Sequence, residues 1–309
     1  MKFAYLVVTH KDPEQFIRLL QAIDSAESVF YIHVDKKVSI EPFKKVEDFI
    51  DPEKITWLKR KSIIWAGFNM IRATLEGIRE ILKSTDQLSH ITLLSGQDYP
   101  IKPIQAYHDY LIANQGKDFI ETSAMPRPGW QSGGMDRILY HHIIFPKFRL
   151  AYPLLSYLNV KLRYREGGLF DLYKKVVAFL PKQKDFPRKF LKDTLPFEGS
   201  QWWTLSISSA KNIIHFLDTD KQFYNYFKYT HVADEIFFPT LVKNNSINAA
   251  GNIVNNNLRH IDWNSDTGHP RTLDESDYNI LAGSNDFFAR KFDKDSEILN
   301  LIDKELLKG

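Results

Sequence analysis

The sequence predicts an α/β domain: a mixed, mainly parallel sheet flanked by helices, with one basic helical insertion. Strand-like and helix-like segments alternate through the first half, as βα units on a parallel sheet require. The first of the strand-like runs is continuously apolar, the pattern of a strand covered on both faces. A basic, aromatic stretch at 143–193 breaks the rhythm once, after which a strand-like segment returns.

Each element has its own signature. "FAYLVVTH" (3–10) is a buried strand, and "PEQFIRLLQAI" (13–23) follows with helical spacing and Pro13 at the helix start, where proline is tolerated. "VFYIHVD" (29–35) is β-branched and aromatic, and "ITWLKR" (55–60) reads as a third strand. "NMIRATLEGIREIL" (69–82) repeats its apolar residues with helical period, and "HITLLSGQDYPI" (90–101) is a strand running into a glycine turn. Residues 143–193 carry 12 Lys/Arg against 4 Asp/Glu, punctuated by prolines and glycines, in a chain whose net charge is only +3. Beyond them, "WWTLSIS" (202–208) is strand-like, helices are expected near 209–217 and from about 233, and "SEILNLIDKELL" (296–307) is amphipathic. The expected organisation is one domain over 1–309 in two parts, 1–125 and 126–309.

Composition removes several classes of function. The chain has 309 residues, 43% hydrophobic and 14% aromatic, and contains no cysteine, so disulfides, thiolate zinc sites and a Cys nucleophile are excluded. No run of eighteen apolar residues predicts a membrane span, and "MKFAYLVVTHKDP" reads as a strand rather than a signal peptide. Neither G-x-G-x-x-G after the first strand nor a P-loop occurs, which argues against dinucleotide binding and P-loop chemistry. Asp218-Thr219-Asp220 and Asp293-Lys294-Asp295 match a D-x-D cation pattern, but both fall at helix ends or in loops, where chance explains so short a motif. The pair His141-His142 is read as polar or partly buried histidine rather than a metal site.

Open α/β sheets bind ligands beyond the carboxyl ends of their strands. Polar groups stand at four such positions: Thr9-His10, His33-Val34-Asp35, Ser95-Gly96-Gln97-Asp98, and the Gly199-Ser200 turn before a strand. Together they predict a nucleotide or sugar-nucleotide cleft. Asp234-Glu235 stands where a helix begins, so the pair serves either as an N-terminal cap or as a carboxylate with a tuned pKa. The adjacent Trp202 and Trp203 either fill a core or wall a sugar site, one facing the ligand and one the core.

"FYIHVDKK", "LLSGQDYPIKP", "EGSQWWTLS", "ADEIFFPTLV" and "FFARKFD" occur in this order and together resemble the core-2/I-branching β-1,6-N-acetylglucosaminyltransferases, a family that includes peptide O-xylosyltransferases. The resemblance runs from about residue 3 to 293 and is weakest across 143–193. It implies a GT-A-like, Rossmann-like fold, with 1–125 as the nucleotide-binding half and 126–309 as the acceptor and catalytic half, and inverting transfer from a UDP-sugar without a divalent metal or other cofactor. Glu235 matches the family's catalytic base, and Lys291 with Arg271 the basic pair at the diphosphate, Arg259 and Arg290 being the alternatives. Thr9, His10, Asp35, Ser62, Trp65 and Asp98 match the donor side; Glu121, Ser200 and Trp202 match the acceptor side. Unlike animal members, the chain shows no anchor and no cysteines, which suggests a bacterial cytoplasmic relative acting on a surface polysaccharide or lipid-linked saccharide, its basic segment either resting on the inner face of the membrane or forming a solvated helical face. The competing readings are a non-catalytic sugar-nucleotide or carbohydrate-binding module and, third, a basic nucleic-acid binder, for which no recognition signature is present.

Overall fold

The structure is a computed structural model and describes residues 1–145, 149–152, 188–244, 252–264 and 269–308. Its strands are β1 (Lys2–Thr9), β2 (Ser28–Val34), β3 (Ile55–Trp57), β4 (Leu88–Ser95), β5 (Asp98–Pro100), β6 (Asp118–Ile120), β7 (Ser123–Ala124), β8 (His141–Ile144), β9 (Arg149–Tyr152), β10 (Phe197–Glu198), β11 (Trp203–Ser206), β12 (Ile253–Val254), β13 (Arg259–Ile261) and β14 (Phe288–Arg290). The helices that bear on the site are α1 (Pro13–Ala22), α2 (Asn69–Ile81), α3 (Ile104–Ala113), α4 (Ile207–Thr219), α5 (Lys221–Phe227) and α6 (Asp234–Asn244).

Seven strands form the main sheet in the order β12-β6-β11-β4-β1-β2-β3. β1 pairs in parallel with both β2 and β4, and β3 in parallel with β2. β11 runs antiparallel to β4 on one side and to β6 on the other, so it alone is reversed among these strands. The expected mixed, mainly parallel sheet is therefore present. It also interleaves the two expected halves, because β11 from the second lies between β4 and β6 of the first.

The continuous apolar run of β1 has its reason in this placement. Ala4, Leu6 and Val8 face a core shared with α2, α4, α5 and α6, while Phe3, Tyr5 and Val7 face a second core under α1 and α3. Alternate residues of a strand point to opposite faces, and here both faces are covered. A smaller sheet, β13-β14-β5, closes one side of the cleft.

The basic insertion departs from expectation where it is described. It opens as an antiparallel ladder, β8 with β9, rather than as a helix. The alternation of His142 (buried) between exposed His141 and Ile143 is a strand period. The rest of the expected helical insertion, 153–187, lies outside the described residues.

Candidate active site

The parallel strands β1, β2 and β4 end together, and the reversed β11 starts at that same edge. This is why the turn before a strand, Gly199-Ser200, shares a site with residues that follow strands. A cleft of about 1020 Å³ opens there, lined by Thr9, His10, Asp35, Trp65, Glu121, Ser200, Trp202 and Glu235 among the expected residues.

Close backbone approach shapes the cleft floor. A Cβ on Gly96 would sit 2.4 Å from Thr9 Oγ1, and one on Gly199 would sit 1.8 Å from the carbonyl oxygen of Glu121. Only glycine fits the second position, because the colliding atom is backbone. Asp35 accepts the N–H groups of Lys37 (2.9 Å) and Ile63 (3.2 Å), tying the loop after β2 to the "SIIWAG" loop. Trp65 stands exposed at the rim beside His231 and His269.

Glu235 is positioned by a local sequence feature, the proline at 239 of α6. A regular helix would bond the N–H of residue 239 to the carbonyl of residue 235, but proline has no N–H. The freed Glu235 carbonyl instead accepts Gly199 N–H at 2.8 Å, pinning the "EGS" turn to the first turn of α6. Phe197 and Thr240 extend the seam with two further hydrogen bonds of 3.0 and 2.9 Å. Ahead of the helix, Val232 takes φ 50°, rare for a β-branched residue and worth about 1–3 kcal/mol of strain. Its N–H donates to Ala66 O at 3.1 Å, so the strained turn is held against the Trp65 loop.

The carboxylates are electrostatically distinct. Burial raises the Glu235 pKa, and Arg137, whose Nη1 lies 3.0 Å from Oε2, opposes that rise. Asp234 is pushed up to about 7 by burial and by Glu235 beside it. Glu198 is buried and paired with Arg127 at 2.8 Å. The Trp130 ring lies near both guanidiniums, its centroid 5.0 Å from Arg127 and 4.3 Å from Arg137.

Across the cleft, Trp202 and Trp203 part company. Trp203 is fully buried against Phe238 of α6, whereas Trp202 lines the cleft with Arg290 4.2 Å from its ring centroid. Beneath them Asp98 is completely buried, 3.6 Å from Arg290 and 3.8 Å from Arg259. Two guanidiniums share this carboxylate, Glu121 and Asp286 also act on Arg259, and burial lowers both arginine pKa values.

Several expected residues are not brought to the cleft wall. Asp98 supports the wall from behind, its Oδ2 accepting Ser95 N–H at 2.6 Å. Arg271 faces away into a ring of Asp262 (2.8 Å), Asp274 (3.5 Å) and Asp277, so the loop's own carboxylates hold it; of the three candidate arginines, Arg290 lines the cleft. Ser62 is exposed and half-buried Lys291 follows Arg290, both outside the cleft lining. Both D-x-D matches have structural duties: Asp218 pairs with Arg79 at 2.6 Å, Asp220 caps α5, and Asp293 pairs with Lys11 at 3.4 Å. Among the described residues no group of three or more His, Asp or Glu is arranged to hold a metal ion.

Sequence reasoning missed Arg127, Trp130, Arg137 and Trp263, all of which line the cleft. The available signal was "PRPGWQSGGMDR" (126–137), a Gly-Pro turn carrying two arginines and a tryptophan. Gly133 folds so tightly there that a Cβ would meet Pro126 at 2.3 Å.

These features belong to a recognisable class. A family model described as Core-2/I-Branching enzyme matches residues 3–282, and the chain belongs to that family. It is 25% identical to xylosyltransferase 2 of Rattus norvegicus and to that of Homo sapiens, over 99% of this chain and 34% of each relative. It is 33% identical, over 32% of this chain and 24% of the relative, to a probable β-1,3-galactosyl-O-glycosyl-glycoprotein β-1,6-N-acetylglucosaminyltransferase 7 of Sus scrofa. The chain thus spans about a third of the length of the xylosyltransferases it matches. Among solved structures, a glucose-1-phosphate thymidylyltransferase from Bacillus anthracis aligns with TM-score 0.29 and 7% identity over 68% of this chain and 74% of that one, a likeness that carries no argument.

Proposed function

We propose that the chain is an inverting, metal-independent glycosyltransferase that moves xylose or N-acetylglucosamine from a UDP-sugar to a hydroxyl of a glycan or lipid-linked saccharide, with Glu235 as base. The observation that carries this reading is a half-buried carboxylate and an arginine stacked on Trp202 lining one and the same cleft. In one displacement, the acceptor oxygen attacks the anomeric carbon while its proton passes to Glu235. The bond from that carbon to the diphosphate breaks, and its electron pair leaves on the phosphate oxygen. Attack opposite the leaving group turns an α-linked donor into a β product.

The departing diphosphate needs positive charge, commonly supplied by a cation. Here the role falls to Arg290, with Arg259 behind it on the shared Asp98 and Lys291 next in the chain. Thr9, His10, Asp35 and the Trp65 loop form the nucleotide side; Glu121, Ser200 and Trp202 form the sugar and acceptor side. We further propose that the acceptor belongs to a surface polysaccharide and that the basic segment 143–193 touches an anionic cytoplasmic membrane face. Among the described residues no helix is long and apolar enough to cross a membrane.

Turnover of UDP-xylose and UDP-N-acetylglucosamine in EDTA, read as UDP release, tests the reaction. Release that persists in chelator supports it. Activity that needs manganese contradicts the metal-free step, and UDP binding without turnover of any donor would instead favour a binding module.

A further inference from the structure

We propose that Arg137 is a positioning residue for Glu235, clamping one carboxylate oxygen and leaving the other to receive the acceptor's proton. This rests on Glu235 being the base. The contact is single: Arg137 Nη1 donates to Oε2 at 3.0 Å, and Oε1 has no hydrogen-bond partner among the described residues. A carboxylate tied through one oxygen is restricted in its rotation, yet keeps lone pairs on the other oxygen, and Glu235 lines the cleft.

Arg137 is itself held at two further points. Its guanidinium lies on the Trp130 ring at 4.3 Å, where a cation is attracted by the ring's electron-rich face. Its backbone carbonyl accepts His231 N–H at 3.1 Å, tying it to the turn that leads into α6. The same Trp130 ring has Arg127 at 5.0 Å, clamped to Glu198 at 2.8 Å. One tryptophan thus supports two guanidiniums, each fixing a different cleft carboxylate.

The charged groups facing Glu235 are Arg137 from the short helix Asp136–Leu139, Glu198 from β10 with Arg127 beyond it, and Asp234 on its own helix; His231 precedes them in the turn. Arg137 is the one that favours the ionised base, while burial and Glu198 oppose it. Loss of Arg137 therefore moves the base's titration to higher pH. Below the titration the ionised fraction falls, and above it the variant recovers.

The test is the pH profile of UDP release from UDP-xylose and UDP-N-acetylglucosamine for wild type, R137K, R137M and E235Q. R137M should move the acid limb up by about one unit, giving roughly tenfold loss on the acid side that shrinks toward parity on the alkaline side. R137K should keep the wild-type limb. Circular dichroism and UDP affinity report whether each variant is folded. Should R137M fail to fold, Trp130→Leu, which removes only the platform, should shift the limb in the same direction. An unmoved limb in folded R137M or W130L, or R137K behaving like R137M, overturns the proposal. Turnover surviving in E235Q would instead overturn the base reading on which it stands.

Discussion

Replacing Gly199 by alanine isolates the seam between the "EGS" turn and the base. The added Cβ would lie 1.8 Å from the Glu121 carbonyl oxygen, whereas real Cβ contacts essentially never fall under 3.0 Å. The turn must therefore retreat by about 1.2 Å at least, since the obstacle is backbone and cannot rotate aside. Gly199 N–H is bonded to the Glu235 carbonyl, so the retreat either breaks that bond or drags the first turn of α6 with it. Overpacking of this kind costs about 1–3 kcal/mol, which for a chain of this size lowers Tm by roughly 2–6 °C. A displacement of about 1 Å at a reacting group costs about a hundredfold in rate. Thermal unfolding and UDP release should therefore both fall in Gly199→Ala, the rate far more than the stability. Unchanged turnover in a folded G199A would refute the coupling of turn and base.

Arg290→Met removes the cation stacked on Trp202 and should weaken UDP affinity by roughly ten- to a hundredfold, as loss of a charged hydrogen bond does, measured by calorimetry; Arg271→Met, whose partners are loop carboxylates, should leave UDP affinity near wild type. Asp234 gives a pH-dependent stability with a defined sign. Its folded pKa, about 7, lies above the ordinary value of 3.8, so the folded state holds a proton that the unfolded state has released between those values. Stability from this group is complete below the lower value and is lost as pH rises through about 7. Asp234→Asn should therefore flatten the decline in Tm over that window, and parallel Tm–pH curves for the two proteins would contradict it.

Much of the fold was legible because β1, α1, β2 and α2 follow local periodicity that tertiary packing reinforces. The reversal of β11 was not, since "WWTLSIS" has the same strand character in either direction. The ladder of β8 and β9 was hidden by a composition, basic and aromatic, that suits helix and strand alike. At the site, residues at strand ends were readable: Thr9, Asp35 and Ser200 meet at one sheet edge. Asp98 was misplaced for a physical reason, because the turn after β4 carries it into β5 and buries it under two arginines. Arg271 rests on the family resemblance, which says nothing of Asp262, Asp274 and Asp277 closing around it. Arg137 and Trp130 reach the base only through a contact 98 residues apart in sequence, which no local pattern encodes.

The most direct measurement is single-turnover transfer by Glu235→Gln in chelator, alongside UDP affinity of the same protein. An amide keeps the shape but cannot take the proton, so the rate should drop about a hundred- to ten-thousandfold while UDP binds as in wild type. A glutamine variant that still turns the donor over at the wild-type rate would contradict the account.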